Sequence, residues 1–309
     1  MKKFNVVIFT IARSDFGILK NIIKKIELDQ RFNLSLIVGA AHYSKTFGST
    51  LNEIKEINIK NLKKIKFNYK NSSNLDIIEY FKKTMSSVSK ILNKRKVDAF
   101  ILLGDRYEAL AAAMTSFQMN IPIFHLCGGS ITEGSLDDTY RYCISKMSTM
   151  HFLETKHHKK NLINLNIKKN LFVVGSPSLE NYNKDLINKD DFELKYNFNL
   201  NNSKNILVCC FNPETSLTIK ENINKLNIFI KFLNQLNQNV VFTYPNSDQG
   251  YRKYIGLIKK KLTKKNILLV KNLGKKNYFS LLSFANIVIG NSSSGIIETG
   301  SFKIPAINL

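Results

Sequence analysis

The sequence predicts an α/β protein of two domains, each built on a doubly wound parallel sheet. Three observations carry that expectation. Short continuous apolar runs rich in Val, Ile, Leu and Phe recur along the chain, as strands buried on both faces require. Segments of helical periodicity separate consecutive runs, the alternation that brings strands together in parallel through crossover helices. A stretch from Asn181 to Lys204, dominated by Asn, Lys and Asp, interrupts the series and is the expected connection between the domains.

In the first domain, residues 1–180, Phe4 to Thr10 is the first strand. Its two preceding lysines resemble the start of a signal peptide, but the run is short and no small-residue cleavage site precedes Arg13 and Asp15. Asp15 to Leu28 then reads as a helix, Leu34 to Val38 as a strand and Ile65 to Tyr69 as another. Leu75 to Leu92 is amphipathic and helical, Ala99 to Leu103 a strand, Tyr107 to Gln118 a helix and Ile121 to Leu126 a strand. Asp138 to Met147 is a helix, followed by short strands at His151 to Leu153 and Leu171 to Val174.

The second domain, residues 205–309, repeats the pattern. Ile206 to Cys210, Val240 to Thr243, Ile267 to Val270, Ile287 to Ile289 and Ala306 to Leu309 read as strands. Thr218 to Leu236, Tyr251 to Leu262 and Tyr278 to Phe284 read as helices, with a further helix from Ile296. Two Rossmann-like domains place their binding groups at the carboxyl ends of the strands, in a cleft.

Composition bounds the function. With 309 residues, 44% of them hydrophobic, the chain can bury a sizeable core. No apolar window is long enough to span a membrane, so a cytoplasmic protein without a membrane partner is expected. Cys127, Cys143, Cys209 and Cys210 lack metal-ligand spacing and are expected as buried free thiols, with no metal and no cofactor. The formal charge of +23 is nearly all dispersed lysine, alongside abundant Asn and Ile, and no nucleic-acid motif accompanies it. No nucleic-acid partner is expected.

The unusual polar residues fall after the predicted strands. Arg13-Ser14-Asp15-Phe16-Gly17, Gly104-Asp105-Arg106-Tyr107-Glu108, Gly128-Gly129, the pair Asp137-Asp138 and Gly175-Ser176-Pro177 do so in the first domain. Asn212-Pro213-Glu214-Thr215, Tyr244-Pro245-Asn246-Ser247-Asp248 and the turn from Asn291 to Gly295 do so in the second. A strand, a turn of small residues and a helix N-terminus offer backbone N–H groups and serine hydroxyls to an anion. Glu298 is placed to accept from sugar hydroxyls near it, so a nucleoside diphosphate fits. A plain serine N-cap fits the same turn. Asp105 can cap the helix at Tyr107, and one of Asp137 and Asp138 can cap the next. His42, His157 and His158 are expected at the surface, while His125 is either site-lining or a satisfied core histidine.

These motifs carry a resemblance. R-S-D-F-G, L-G-D-R-Y-E-A-L-A-A-A, H-L-C-G-G-S-I-T-E-G-S-L-D-D, V-G-S-P-S-L-E-N, T-Y-P-N-S-D-Q-G and I-G-N-S-S-S-G-I-I-E resemble, in order, the hydrolysing UDP-N-acetylglucosamine 2-epimerases of sialic and legionaminic acid synthesis. The resemblance implies a GT-B fold with UDP bound mainly by the second domain. It implies that Ser292, Ser293, Ser294 and Gly295 hold the diphosphate and Glu298 the ribose, with Arg13 reaching the diphosphate from across the cleft. Asp105 and Asp137 match acid–base residues, Glu133 is a further carboxylate, and Arg106, His125 and Asn212 are expected to line the substrate. The implied substrate is a UDP-2-acetamido sugar, UDP-N-acetylglucosamine or UDP-N,N'-diacetylbacillosamine. It loses UDP by elimination across C1 and C2 and is hydrated with C2 reprotonated from the other face. A homo-oligomer, dimer or tetramer, is implied as well.

The sequence departs from the family pattern at Cys127, where relatives carry Glu or His, at Ser130, where they carry an acid, and at Asn212, where they carry His. Asn cannot shuttle a proton, and a thiol does so near neutrality only if shifted. An impaired UDP-sugar binder and a GT-B glycosyltransferase are the alternative readings. Family members also continue beyond the position of Leu309, so a truncated chain with exposed apolar surface from Ile304 to Leu309 is expected.

Overall fold

The computed structural model describes residues 2–43, 51–67, 73–133, 135–201, 203–245 and 250–309. They divide into two compact units, Met1–Pro177 and Ser178–Leu309. Unit 1 runs β1 (Phe4–Thr10), α1 (Arg13–Leu28), β2 (Phe32–Val38), α2 (Leu51–Lys55), β3 (Leu62–Lys64), α3 (Asn74–Leu92), β4 (Ala99–Leu103) and α4 (Tyr107–Gln118). It continues with β5 (Ile123–Leu126), α5 (Leu136–Met147), β6 (Met150–Leu153), α6 (Lys156–Asn164) and β7 (Leu171–Val173). Unit 2 runs α7 (Lys189–Tyr196), β8 (Ile206–Cys210), α8 (Ile219–Gln235), β9 (Asn239–Thr243), α9 (Tyr251–Lys261), β10 (Ile267–Val270) and α10 (Gly274–Phe284). It closes with β11 (Ile287–Gly290), α11 (Ser294–Ile297), α12 (Thr299–Phe302) and β12 (Ala306–Asn308).

The seven strands of unit 1 pair in the order β3-β2-β1-β4-β5-β6-β7, and the five of unit 2 in the order β10-β9-β8-β11-β12. All the pairings are parallel. Strand alternation explains why both faces need helices. In unit 1, Val6 and Ile8 pack with Phe16, Leu19 and Ile23 of α1. Val7 and Phe9 turn to the other face and pack with Val88 and Leu92 of α3 and Ala109, Ala112 and Ala113 of α4. Unit 2 divides likewise. Leu207, Cys209 and Phe242 meet α8 and α9 through Leu226, Phe229, Tyr254 and Ile258. Val208, Val241 and Val288 meet Phe192 of α7 and Leu281 and Leu282 of α10.

Several expectations change. The strand expected at Ile65 to Tyr69 is instead β3, paired with Leu36 to Val38; Ile65 is buried just beyond it, and residues 68 and 69 lie outside the described residues. Within residues 181–204, expected as a connection, α7 buries Phe192 completely and Leu200 follows at 1% exposure. The helix expected from Ile296 is two single turns, consistent with the glycines and Thr299, which are weak helix formers. His42 is buried at 1% exposure, and Cys143 is exposed and not packed. Ile307 on the edge strand β12 and Leu309 just after it are exposed. Among the described residues, no helix is long and apolar enough to cross a membrane, and no group of metal-ligating side chains forms.

Candidate functional site

In an open parallel sheet, ligands gather where the strand order reverses, outside the carboxyl ends of the strands. In unit 1 that point lies between β1 and β4. After β4 the chain turns at Gly104 in the left-handed conformation and presents Asp105. Asp105 does not cap α4; the N-cap position is Arg106, which makes no side-chain cap bond. Asp105 instead pairs through Oδ2 with the Arg141 guanidinium of α5. The same guanidinium donates to the Ser130 carbonyl at 2.9 Å, to Asp138 Oδ1 at 3.0 Å and to Thr132 Oγ1 at 3.0 Å. Asp138 Oδ1 also accepts from the Thr132 amide at 2.8 Å. One buried arginine therefore fastens the loop after β5 to the end of β4.

The neighbouring residues take different parts. Ser135, not Asp137 or Asp138, caps α5, accepting from the Asp137 amide at 3.2 Å. Asp137 sits half-buried in the first turn, and Glu133 is exposed. Arg106 donates through Nε to the buried Glu108 at 3.2 Å. His125 is fully buried, with Nε2 2.8 Å from the Gly104 carbonyl and Nδ1 3.0 Å from Ser145 Oγ. A carbonyl only accepts, so Nε2 carries the hydrogen and Nδ1 accepts from the serine. Burial lowers the ring's pKa to about 4 and keeps it neutral. His125 is thus a satisfied core histidine that shapes the site without offering a ring nitrogen to a ligand.

Cys127 has a left-handed backbone, and its thiol is pushed well up by burial, then by the nearby charges of Glu154 and Asp105. A thiol held that way stays protonated at neutral pH. Beside it the loop requires glycine, because a side chain at Gly129, at φ +79°, would meet the His158 carbonyl at 2.4 Å.

A second network stands at the end of β1. The Asp15 carboxylate accepts from the Ile11 and Ala12 amides at 2.7 Å each and from Thr10 Oγ1 at 3.0 Å, and Thr10 Oγ1 lies 3.0 Å from His42 Nε2. Burial raises Asp15 to about 6 against these hydrogen bonds, and burial lowers His42 to about 3. Arg13 opens α1, and its side chain lies outside the described part of the structure.

In unit 2 the reversal lies between β8 and β11. Gly290 ends β11 at φ +147°, where an added Cβ would fall 1.7 Å from the Cys210 carbonyl. That close approach brings the Asn291 side chain onto the next loop. Its Oδ1 accepts from the Asn212 amide at 2.7 Å and its Nδ2 donates to the Asn212 carbonyl at 2.9 Å. The serine turn follows. The amides of Gly295 and Ile296 are engaged with the carbonyls of Ser292 and Ser293, and the hydroxyls of Ser292, Ser293 and Ser294 add side-chain donors to the turn. Ser294 Oγ meets the Tyr278 hydroxyl of α10. Glu298 stands at the junction of α11 and α12. Lys275, whose Nζ donates to the Glu180 carbonyl at 3.2 Å, lies within electrostatic reach of it. Residues 246–248 of the expected loop after β9 lie outside the described residues.

Sequence reasoning did not single out Arg141, Glu154 or Tyr278 as site residues. For Arg141 a signal was present, since residues three and four apart share a helix face and Arg141 follows Asp138 and Asp137 at those spacings.

A family model for UDP-N-acetylglucosamine 2-epimerase matches residues 24–309. A Campylobacter jejuni protein, GDP/UDP-N,N'-diacetylbacillosamine 2-epimerase (hydrolyzing), is 35% identical over 100% of this chain and 81% of its own length. The UDP-N,N'-diacetylbacillosamine 2-epimerase (hydrolyzing) of Legionella pneumophila is 27% identical over 98% of this chain and 80% of its own. The crystal structure of UDP-GlcNAc 2-epimerase from Neisseria meningitidis bound to UDP-GlcNAc superposes with a TM-score of 0.79 at 22% identity, covering 100% of this chain and 82% of that one. The fold is accordingly GT-B, made of two Rossmann-like domains. The two reversal-point sites, the family match over nearly the whole chain and the relative at 35% identity lead to one conclusion: this chain is an enzyme of the UDP-N-acetylglucosamine 2-epimerase family, in its hydrolysing group.

Proposed function

We propose that the chain converts a UDP-2-acetamido sugar and water to UDP and the free manno-configured sugar, and that UDP-N,N'-diacetylbacillosamine is the substrate. The observation that carries this reading is the 35% identity, over the whole chain, to a relative named for that substrate. In the first step a base removes the C2 proton, the C1–O electrons leave with UDP, and a C1–C2 double bond remains. In the second, water adds its oxygen to C1 while C2 takes a proton on the opposite face. Such chemistry needs two proton-exchanging groups and a set of donors for the departing diphosphate. We assign proton exchange to the carboxylates of unit 1, Asp105 and Asp137, with Glu133 as a further carboxylate of the same loop. Diphosphate binding falls to the hydroxyls of Ser292, Ser293 and Ser294, in the turn that Gly295 completes, with Arg13, Arg106 and Asn212 as further polar contacts and Glu298 on the ribose. The product is suited to nonulosonate synthesis, and we place the enzyme in the cytoplasm as a homo-oligomer, to be checked by fractionation and light scattering.

Incubation with UDP-N,N'-diacetylbacillosamine and, separately, with UDP-N-acetylglucosamine in deuterated water tests the reading. Free manno-configured sugar with deuterium at C2 is the expected product, formed faster from the first substrate. UDP binding without turnover of either sugar would instead favour an impaired binder. The half-buried Cys127 thiol, held protonated, is the observation behind that second reading.

A further inference from the structure

Asp105, Cys127, Glu154 and Ser176 follow the ends of β4, β5, β6 and β7, adjacent strands of one parallel sheet. The register aligns Leu103 with Leu126, Leu126 with Phe152 and Leu153 with Val173, so the four residues form a row along the carboxyl edge of unit 1. Within that row Asp105 is tied to Arg141, and Asp138 shares the same guanidinium. Cys127 supplies a protonated thiol. Glu154 differs from all of these. Its side chain is 11% exposed, and its Oε1 accepts from Ser176 Oγ. Its Oε2 lies 3.8 Å from His158 Nδ1, a buried nitrogen without a hydrogen-bond partner. Glu154 and His158 are four residues apart, just before the cap and in the first turn of α6, where the side chain of the cap residue Thr155 accepts from the His158 amide at 3.1 Å. The cap fixes the ring beside the carboxylate. The pair can close to a hydrogen bond when a proton arrives on the histidine and open when it leaves.

We propose that Glu154 is an acid–base group of unit 1, exchanging a proton with C2 of the sugar, that Ser176 and His158 position it, and that His158 accepts or returns its proton. The proposal rests on the reading of the function given above. When Glu154 takes the C2 proton, the carbon's electrons form the C1–C2 double bond and expel UDP. The proton then passes to His158 or to solvent. The reverse transfer from an acid on the other face, Asp105 or Asp137, completes the epimerisation. The charged and titratable groups that act on the pair are Cys127 from the end of β5, Arg141 from α5 and His157 on α6 itself, with Asp105 beyond Cys127.

Glu154→Gln is isosteric and tests the assignment, with Asp105→Asn and His158→Gln beside it. Deuterium incorporation at C2, UDP release and UDP affinity are read in each. Glu154→Gln is expected to lower kcat by about 10²–10⁴ with little change in KM or UDP affinity. His158→Gln is expected to displace the acid limb of the kcat profile. In the absence of any substrate, the His158 ring signal should titrate at lower pH in Glu154→Gln than in the parent, because a neighbouring anion has gone. An active parent with an indifferent Glu154→Gln overturns the assignment alone, as does a kcat loss accompanied by lost UDP affinity and a collapsed melting temperature. An unchanged His158 titration overturns the couple. A parent that turns over neither UDP-sugar overturns the functional reading, and the role of Glu154 with it.

Discussion

At the scale of the residue, unit 1 depends on what Arg141 holds. Its guanidinium serves Asp105, Asp138, Thr132 and the Ser130 carbonyl from a position 4% exposed. Removing one partner of a buried ion pair costs about 3–5 kcal/mol, but the two carboxylates are 28% and 26% exposed and water will stabilise them in part. Arg141→Met is expected to lose roughly 2 kcal/mol in urea unfolding, together with most activity. Arg141→Lys should not restore the activity, because an ammonium cannot reproduce the planar fork. Titration gives a second prediction. His42, His125 and His151 are lowered by burial from 6.5 to about 3, 4 and 4. Their neutral forms stabilise the fold fully above the unfolded value, and that stability is lost as pH falls from about 6.5 toward 4. Asp15, raised from 3.8 to about 6, acts oppositely, gaining stability as pH falls through that range. The histidines outnumber it, so the net loss is on the order of 2 kcal/mol per pH unit below pH 6. Urea midpoints near pH 7.5, 6 and 5 check this; a midpoint that rises on acidification would refute it.

At the scale of the element, the serine turn depends on β11 ending in glycine. Gly290→Ala would place a methyl 1.7 Å from the Cys210 carbonyl at a φ that side chains rarely adopt. The β8–β11 pairing, which aligns Gly290 with Cys210, would have to part there. A loss above roughly 3 kcal/mol is expected, read as a lower melting temperature and weaker UDP binding. Ser294→Ala tests the turn more gently. It leaves the backbone alone and removes the hydroxyl that meets Tyr278, so binding should weaken with stability within about 1 kcal/mol of the parent.

At the scale of the whole molecule, the two units have their own sheets, cores and reversal points. If the diphosphate is held by the serine turn, saturating UDP should protect the amides of 287–298 from hydrogen exchange, and ligand at about 100 times Kd should add about 2.7 kcal/mol of stability. Protection confined to unit 1 would refute that assignment. The net charge of +23 predicts adsorption to polyanions at low salt that falls away steeply as salt rises. Heparin chromatography at two ionic strengths separates this from specific binding.

Most strands were legible because a strand buried on both faces has to be continuously apolar, and β1, β4, β8 and β10 begin and end where the sequence places them. The strand-end motifs were legible for the same reason, since sheet direction fixes their edge. α7 was not, because its hydrophobic signal is little more than Phe192 and its neighbours, and only packing against α10 shows that to be sufficient. His42 looked like a loop histidine until β1 supplied Thr10 beside it. The sequence by itself determined the fold class, the family and the edge on which the chemistry stands, all of which follow from local periodicity and motif order. Only the tertiary structure decided which polar groups meet: that Asp105 binds Arg141 and caps nothing, that His125 is satisfied internally, and that Glu154 stands with His158 and Ser176. Partners contributed by different strands and helices leave no spacing in the chain, because their distance is set by sheet order and helix packing.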